Sequence, residues 1–215
     1  MVFTIDEIIY LLENISKKLD GNKKFLDMLD EKIGDGDHGT EISTGFRNAY
    51  LALEKNSNFN DWKEIFNIVG EEIRSSSKGQ SSLLYGNAFI KSSKLGAGKK
   101  EMTLIDLRDI LFHFIEAIKE KGNCEIGDKT ILDGLFPIYE ETCYGIKNGL
   151  AVKNILSNCI ASSKYEVQKT RLLKSKKGRA TYLGDRSIGY QDPGATSALL
   201  IFEAIYKGYN ELRSN

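Results

Sequence analysis

Between Leu29 and Thr40 the chain carries Asp30, Asp35, Asp37 and His38, spaced by Gly34 and Gly36. Carboxylates this close repel one another unless a cation lies between them. Hard divalent cations such as Mg²⁺ take oxygen ligands and commonly share them with a phosphate. Asp35 and Asp37 flank one glycine, so an extended backbone lets both address one ion. Asp30 falls five residues earlier, at the end of a preceding helix. Gly34 and Gly36 allow a tight turn with bare amides. A helix beginning near His38 would add its first N–H groups and its dipole, an anion site on the same spot. The competing reading is structural: Asp35 or Asp37 caps that helix, and Asp30 is a solvated surface charge. His38 either bonds a phosphate oxygen or is an internally satisfied polar residue. His113, between Phe112 and Phe114, is assigned a structural role.

Further groups could join such a site. Ser75-Ser76-Ser77-Lys78-Gly79-Gln80-Ser81-Ser82 offers amides, hydroxyls and one cation ahead of a helix, which suits a phosphate cradle or a plain Ser-rich connector. It lacks the G-x-x-x-x-G-K-[ST] pattern of a P-loop. Gly127-Asp128-Lys129-Thr130 opens another helix with a carboxylate, an amine and a hydroxyl. Arg179 and Arg186 bring planar, permanently charged forks suited to phosphate. Asp192-Pro193-Gly194 starts the last helix, with Asp192 as cap and Pro193 in the first turn.

These residues need a scaffold, and the apolar spacing predicts a helical one. Thr4-Ile5-Asp6-Glu7 is a capping box followed by a stripe of Ile8, Leu11, Leu12, Ile15 and Leu19. Thr103-Leu104-Ile105-Asp106 repeats the signal before Leu107, Leu111, Phe114, Ile115 and Ile118. Helical spacing also covers roughly 38–55, 61–76, 82–95, 129–147, 150–170 and 194–212. With only two prolines, Pro137 and Pro193, and few alternating runs, the expectation is an all-α single domain spanning 1–215, of about eight helices. The stretch from Lys174 to Gly194 is the one long connection, a length that is often functional.

Composition narrows the function classes. Thirty basic and thirty acidic residues balance to a net charge of zero, which gives no support to nucleic-acid or membrane-surface binding. No apolar run approaches the ~20 residues of a membrane span. The N-terminus shows no secretory pattern. Cys124, Cys143 and Cys159 are odd in number and lack metal-type spacing, as expected of reduced thiols, so a cytoplasmic protein is expected.

Four blocks in order are Ile33-Gly34-Asp35-Gly36-Asp37-His38-Gly39, Leu84-Tyr85-Gly86, Gly127-Asp128-Lys129-Thr130, and the run from Gly178-Arg179-Ala180 through Gln191-Asp192-Pro193-Gly194-Ala195-Thr196-Ser197. In these blocks the chain resembles the L subunit, the nucleotide-binding subunit, of dihydroxyacetone kinases. The resemblance implies an antiparallel eight-helix barrel with a nucleotide site at one end. It implies that Asp30, Asp35 and Asp37 hold two Mg²⁺ ions against the phosphates of ADP or ATP. It places His38, Gly39, Thr40 and Glu41 at the phosphate end, and Lys78, Gly79, Gln80 and Ser81 in the phosphate loop. Gly122 and Ile131 would line the nucleotide, and Arg179, Asp192, Pro193 and Gly194 would close the other side. His38 and Arg179 are the residues expected to act on the transferring phosphoryl group. In phosphotransferase-linked members, ADP stays bound and is rephosphorylated by a phosphocarrier (M-type) subunit. The phosphate then passes to dihydroxyacetone held on a separate K-type subunit.

Two departures from that pattern lie at the phosphate end. Where the family usually has Gly-Gly-Ala-Ser-Gly-Pro-Leu, this chain has Lys78-Gly79-Gln80-Ser81-Ser82-Leu83-Leu84, losing two glycines and the proline. Glu41 stands where the family commonly has asparagine, either as an extra metal ligand or as a charge that repels the nucleotide. Besides an active kinase subunit, two readings stay open: a barrel with altered chemistry serving as a binding or regulatory module, and a kinase subunit for another small ketose or polyol.

Overall fold

The computed structural model describes residues 2–56 and 58–214. Among them are nine α-helices and two three-residue strands. Strand β1 (Val2–Thr4) leads into α1 (Ile5–Gly21), and α2 (Lys23–Asp30) follows after one residue. Helices α3 (His38–Glu54), α4 (Trp62–Ser76) and α5 (Gln80–Ser93) precede β2 (Glu101–Thr103), which runs into α6 (Leu104–Gly122). Next come α7 (Ile131–Lys147), α8 (Val152–Lys169) and α9 (Pro193–Arg213). The two strands pair antiparallel with Phe3 opposite Met102, and each hands over to a capping box, Thr4 with Glu7 and Thr103 with Asp106. A third box, Thr130 with Asp133, opens α7. Each box satisfies N–H groups that a helix start would otherwise leave bare.

Eight long helices form the barrel. α1 packs on α3, and then α3 on α4, α4 on α5, α5 on α6 and α6 on α7. α9 closes the ring against α7 and α1, with α8 seated on α7 and α9. Short connections such as 77–79 and 148–151 make neighbours run antiparallel. The expected stripes face inward: Ile8, Leu11, Leu12, Ile15 and Leu19 of α1 are all buried. Across α3 to α6 the core holds edge-to-face aromatics, with Phe89 5.9 Å from Phe46, 5.2 Å from Phe66 and 4.9 Å from Phe114.

The expected eight helices are these; the ninth is short α2, packed outside against α3 and α9. Two boundaries move for local reasons. α5 begins at Gln80 instead of 82, and α7 at Ile131 instead of 129, because Lys129 has φ +62°, which no α-helix accommodates. The long connection is less irregular than expected: 3₁₀ turns occupy Arg179–Ser187, kinked at Gly184 with φ +57°; a shorter one, Thr170–Leu172, follows directly on α8. All three cysteines are free, Cys124 and Cys159 buried and Cys143 half-buried.

Candidate nucleotide and metal site

The α2–α3 turn folds over the side chain of Asp30, the last residue of α2. One oxygen of that carboxylate, Oδ2, accepts N–H bonds from Gly36 (2.9 Å), Asp37 (3.1 Å) and His38 (3.4 Å). Gly36 has φ +80°, a conformation that favours glycine, and a side chain at Gly34 would run into the Asp30 carboxylate. Asp37 stands at the N-cap of α3 without a capping bond from its side chain, so the structural alternative for this cluster does not hold there. Asp30 satisfies the turn instead, which leaves Asp37 available. Asp30, Asp35 and Asp37 each bring one oxygen to within 4.8 Å of the others. Burial first, then the negative charges of Asp30 and Asp27, push the Asp37 carboxyl above its ordinary range. The Arg179 guanidinium pairs with Asp35 across the cleft.

His38 is fully buried behind this cluster. Its Nδ1 meets the Ser81 hydroxyl at 3.1 Å, and its Nε2 has no partner among the described residues. Burial lowers its pKa to about 4 against the pull of Asp30 and Asp27, so the ring is neutral at pH 7. On the facing wall, α5 begins at Gly79 with no side-chain cap of its own. The Glu41 carboxylate, from α3, lies directly against Gly79. Burial and then the Asp37 charge raise the Glu41 pKa, while Ser77 and the Gly79 backbone pull it down.

The third wall is the clamp between the α7 start and the 170–190 segment. The buried Lys129 ammonium donates to the Ser187 carbonyl at 2.5 Å and the Leu173 carbonyl at 3.2 Å. Desolvation pulls its pKa down, against the opposing charge of Asp192. Asp128 accepts from the Glu125 N–H and from Lys176. Asp192 caps α9 by accepting from the Ala195 N–H at 2.6 Å, and its complete burial drives its pKa up to about 7. The motif Gly127–Thr130 therefore serves the framework first, holding the loop that carries Arg179.

These walls enclose a cleft of about 840 Å³, counting the solvent at its mouth. It brings together Asp30, Asp35, Asp37, His38, Glu41, Gly79, Gln80, Ser81, Gly122, Ile131, Arg179, Asp192, Pro193 and Gly194. Three expected residues stand off its lining. Gly39 faces α2, where a side chain would meet Leu26, Asp27 and the Lys23 carbonyl. Thr40 gives its N–H (2.8 Å) and hydroxyl (2.7 Å) to the Asp27 carboxylate. Lys78 is exposed to solvent. Lys129 and Thr130 of the Gly127–Thr130 motif line the cleft as well, with Ile33, Gly34, Leu84, Cys124, Lys177, Gly178 and Ala180. The basic run Lys174-Ser175-Lys176-Lys177 is the signal for Lys177, and the Leu84-Tyr85-Gly86 block is the signal for Leu84; Cys124 has none. One end of the lining is acidic and polar, and Leu84, Gly122, Cys124 and Ile131 make another part apolar. Convergent carboxylates, a buried imidazole nitrogen with no partner and a helix N-terminus suit a divalent cation with an anionic ligand.

Comparison with known proteins agrees with this chemistry. Residues 32–207 match the DAK2 domain family. The chain is 35% identical to the PTS-dependent dihydroxyacetone kinase ADP-binding subunit DhaL of Lactococcus lactis, over 95% of this chain and 97% of that one. It is 32% identical to the ADP-binding subunit DhaL of PEP-dependent dihydroxyacetone kinase 1 of Listeria innocua, again over 95% and 97%. Its fold is that of a region of the dihydroxyacetone kinase from C. freundii, solved in complex with AMP-PNP and Mg²⁺: TM-score 0.73, 21% identity, 96% of this chain and 34% of that longer one. The chain thus spans about a third of that kinase and nearly all of the two bacterial subunits. It belongs to the DAK2 domain family and, within it, to the ADP-binding L subunits of dihydroxyacetone kinase.

Proposed function

We propose that this chain is the nucleotide-holding subunit of a dihydroxyacetone-type kinase. In this reading it presents the terminal phosphate of Mg²⁺-bound nucleotide to a small ketone carried by a partner K-type subunit. The observation that carries the reading is the convergence of Asp30, Asp35 and Asp37, within 4.8 Å of one another, in a cleft that His38 also lines. Mg²⁺, two ions in this reading, would be held by the three carboxylates and would supply charge neutralisation at the phosphates. The protein's own part is positioning and electrostatics, which phosphoryl transfer chiefly requires. Asp30 fixes the turn that aims Asp35 and Asp37. The His38 ring, held at the Ser81 hydroxyl through Nδ1, stands uncharged at the phosphate end of the cleft and adds no cation there. Arg179 brings permanent positive charge from the opposite wall, and Leu84, Gly122, Cys124 and Ile131 offer an apolar surface to a flat base.

Calorimetry with ADP and Mg²⁺ tests the reading. The wild type binds only with the metal present, and Asp35→Asn or Asp37→Asn abolishes binding without unfolding the chain. Unchanged ADP affinity in those variants would remove the metal assignment. The donor and acceptor follow from reconstitution: with a K-type subunit and either a phosphocarrier or ATP, phosphate transfer to dihydroxyacetone and to larger ketoses identifies both. One observation favours the second reading, a module with altered chemistry: an acidic side chain occupies the start of the expected phosphate loop.

A further inference from the structure

Glu41 is one of five carboxylates lining the cleft, and it is not one of the three that converge. It is not among the converging Asp30, Asp35 and Asp37 oxygens; its carboxylate, one turn along α3 from Asp37, lies against Gly79 at the N-terminus of the fourteen-residue helix α5. That helix has neither a side-chain cap of its own nor an acidic residue in its first turn. The negative charge at its positive end is supplied by α3, through Glu41. A helix N-terminus and a carboxylate placed this way attract each other.

We propose that Glu41 is an internal competitor for the phosphate tail of the nucleotide, setting its affinity and residence time. This rests on the nucleotide reading above. The phosphate that enters the cleft meets the metal-binding carboxylates on one side and the α5 N-terminus, beside Ser81 and His38, on the other. The carboxylate of Glu41 lies against the second of these positions, beside Gly79, whose own N–H donates to Ser77 Oγ. Two anions at one helix N-terminus repel each other. The side chain must therefore swing away as phosphate arrives, or phosphate binds without the loop. Either way the affinity is lower than the same cleft would give with a neutral residue at 41. Glu41 is then a determinant of how readily nucleotide is held or released, not a metal ligand.

The test is ADP binding at saturating Mg²⁺ by calorimetry, with release of a fluorescent ADP analogue followed by stopped flow, on wild type, Glu41→Gln and Glu41→Asn. The competitor role gives about tenfold tighter ADP in both variants, about 1.4 kcal/mol, carried mainly by slower release. Thermal melts of both variants without ligand verify folding, and the asparagine variant stands in should the longer amide perturb α3. Unchanged affinity overturns the competitor role. Weaker ADP or Mg²⁺ binding also overturns it, by showing that Glu41 contributes to holding the ligand. If Asp37→Asn abolishes binding while Glu41→Gln leaves it unaltered, this inference falls and the nucleotide reading stands. If ADP binds to no folded form, wild type included, both fall.

Discussion

At the scale of single residues the cleft is built from groups whose ionisation is set by burial more than by pairing. Asp192 shows this most clearly. It is fully buried and caps α9, and burial raises its pKa from 3.8 to about 7, against the partial help of Lys129. The folded chain therefore holds a proton that the unfolded chain has already released between these values. The stability this contributes is complete below pH 3.8 and is lost as pH rises through 7. Asparagine keeps an oxygen to accept the Ala195 N–H but does not titrate. Asp192→Asn is accordingly expected to gain on the wild type as pH rises from 4 to 8, by at most ~4 kcal/mol. Urea midpoints at several pH values decide this; parallel profiles for the two proteins would show that Asp192 ionises normally in the fold.

At the scale of elements, Lys129 is the buried tie that holds the two ends of the segment from Thr170 to Tyr190 together. Lys129 ties the Leu173 and Ser187 carbonyls together, and Ser187 in turn accepts the Ser175 N–H through its hydroxyl at 2.9 Å. Lys129→Met keeps the aliphatic stem but leaves two carbonyls without that donor, at about 1–3 kcal/mol for each group left unsatisfied. The expected result is a lower denaturation midpoint and faster amide exchange at Ser175 and Gly189. A midpoint drop with unaltered exchange there would place the effect in α7 instead. The clamp has no local signature in the sequence. The three aspartates and the helix starts were legible because their signals are local: short spacing, capping boxes and stripes of period 3.6. Lys129 looked like part of a ligand motif, since a left-handed lysine reaching 44 and 58 residues along the chain has no local signature. The family resemblance places Gly39 and Thr40 at the phosphate end. The helical turn instead points them at α2, whose Asp27 lies thirteen residues before Thr40. Glu41, one residue on, was legible as an unusual charge, but which wall it faces follows from the packing of α3 against α5.

At the scale of the whole molecule, α9 links two ends with separate duties. Its first residues, Pro193 and Gly194, line the cleft, while Arg213 in its last turn reaches Glu7 at 2.5 Å and the Val2 carbonyl at 2.6 Å. Twenty-one helical residues put about 30 Å between those ends. The far end is a seam of its own: β1 pairs with β2, Phe3 packs edge-to-face on Tyr209, and the Arg213 guanidinium lies 5.6 Å from the Phe3 ring. The Arg213 bond also holds the Glu7 carboxyl below its usual range, opposed by desolvation. Sites this far apart with no shared partners add their effects independently unless a bistable element couples them. α9 is a continuous helix packed on α1, α7 and α8, with no break among the described residues to serve as such an element. Arg213→Ala is therefore expected to cost about 1–2 kcal/mol of stability through lost hydrogen bonds and ring contact, and to leave ADP affinity within twofold of wild type. A melt and a calorimetric titration on the same preparation measure both. A tenfold loss of ADP affinity would mean that the strand seam and the cleft move together, and that the barrel transmits strain along α9.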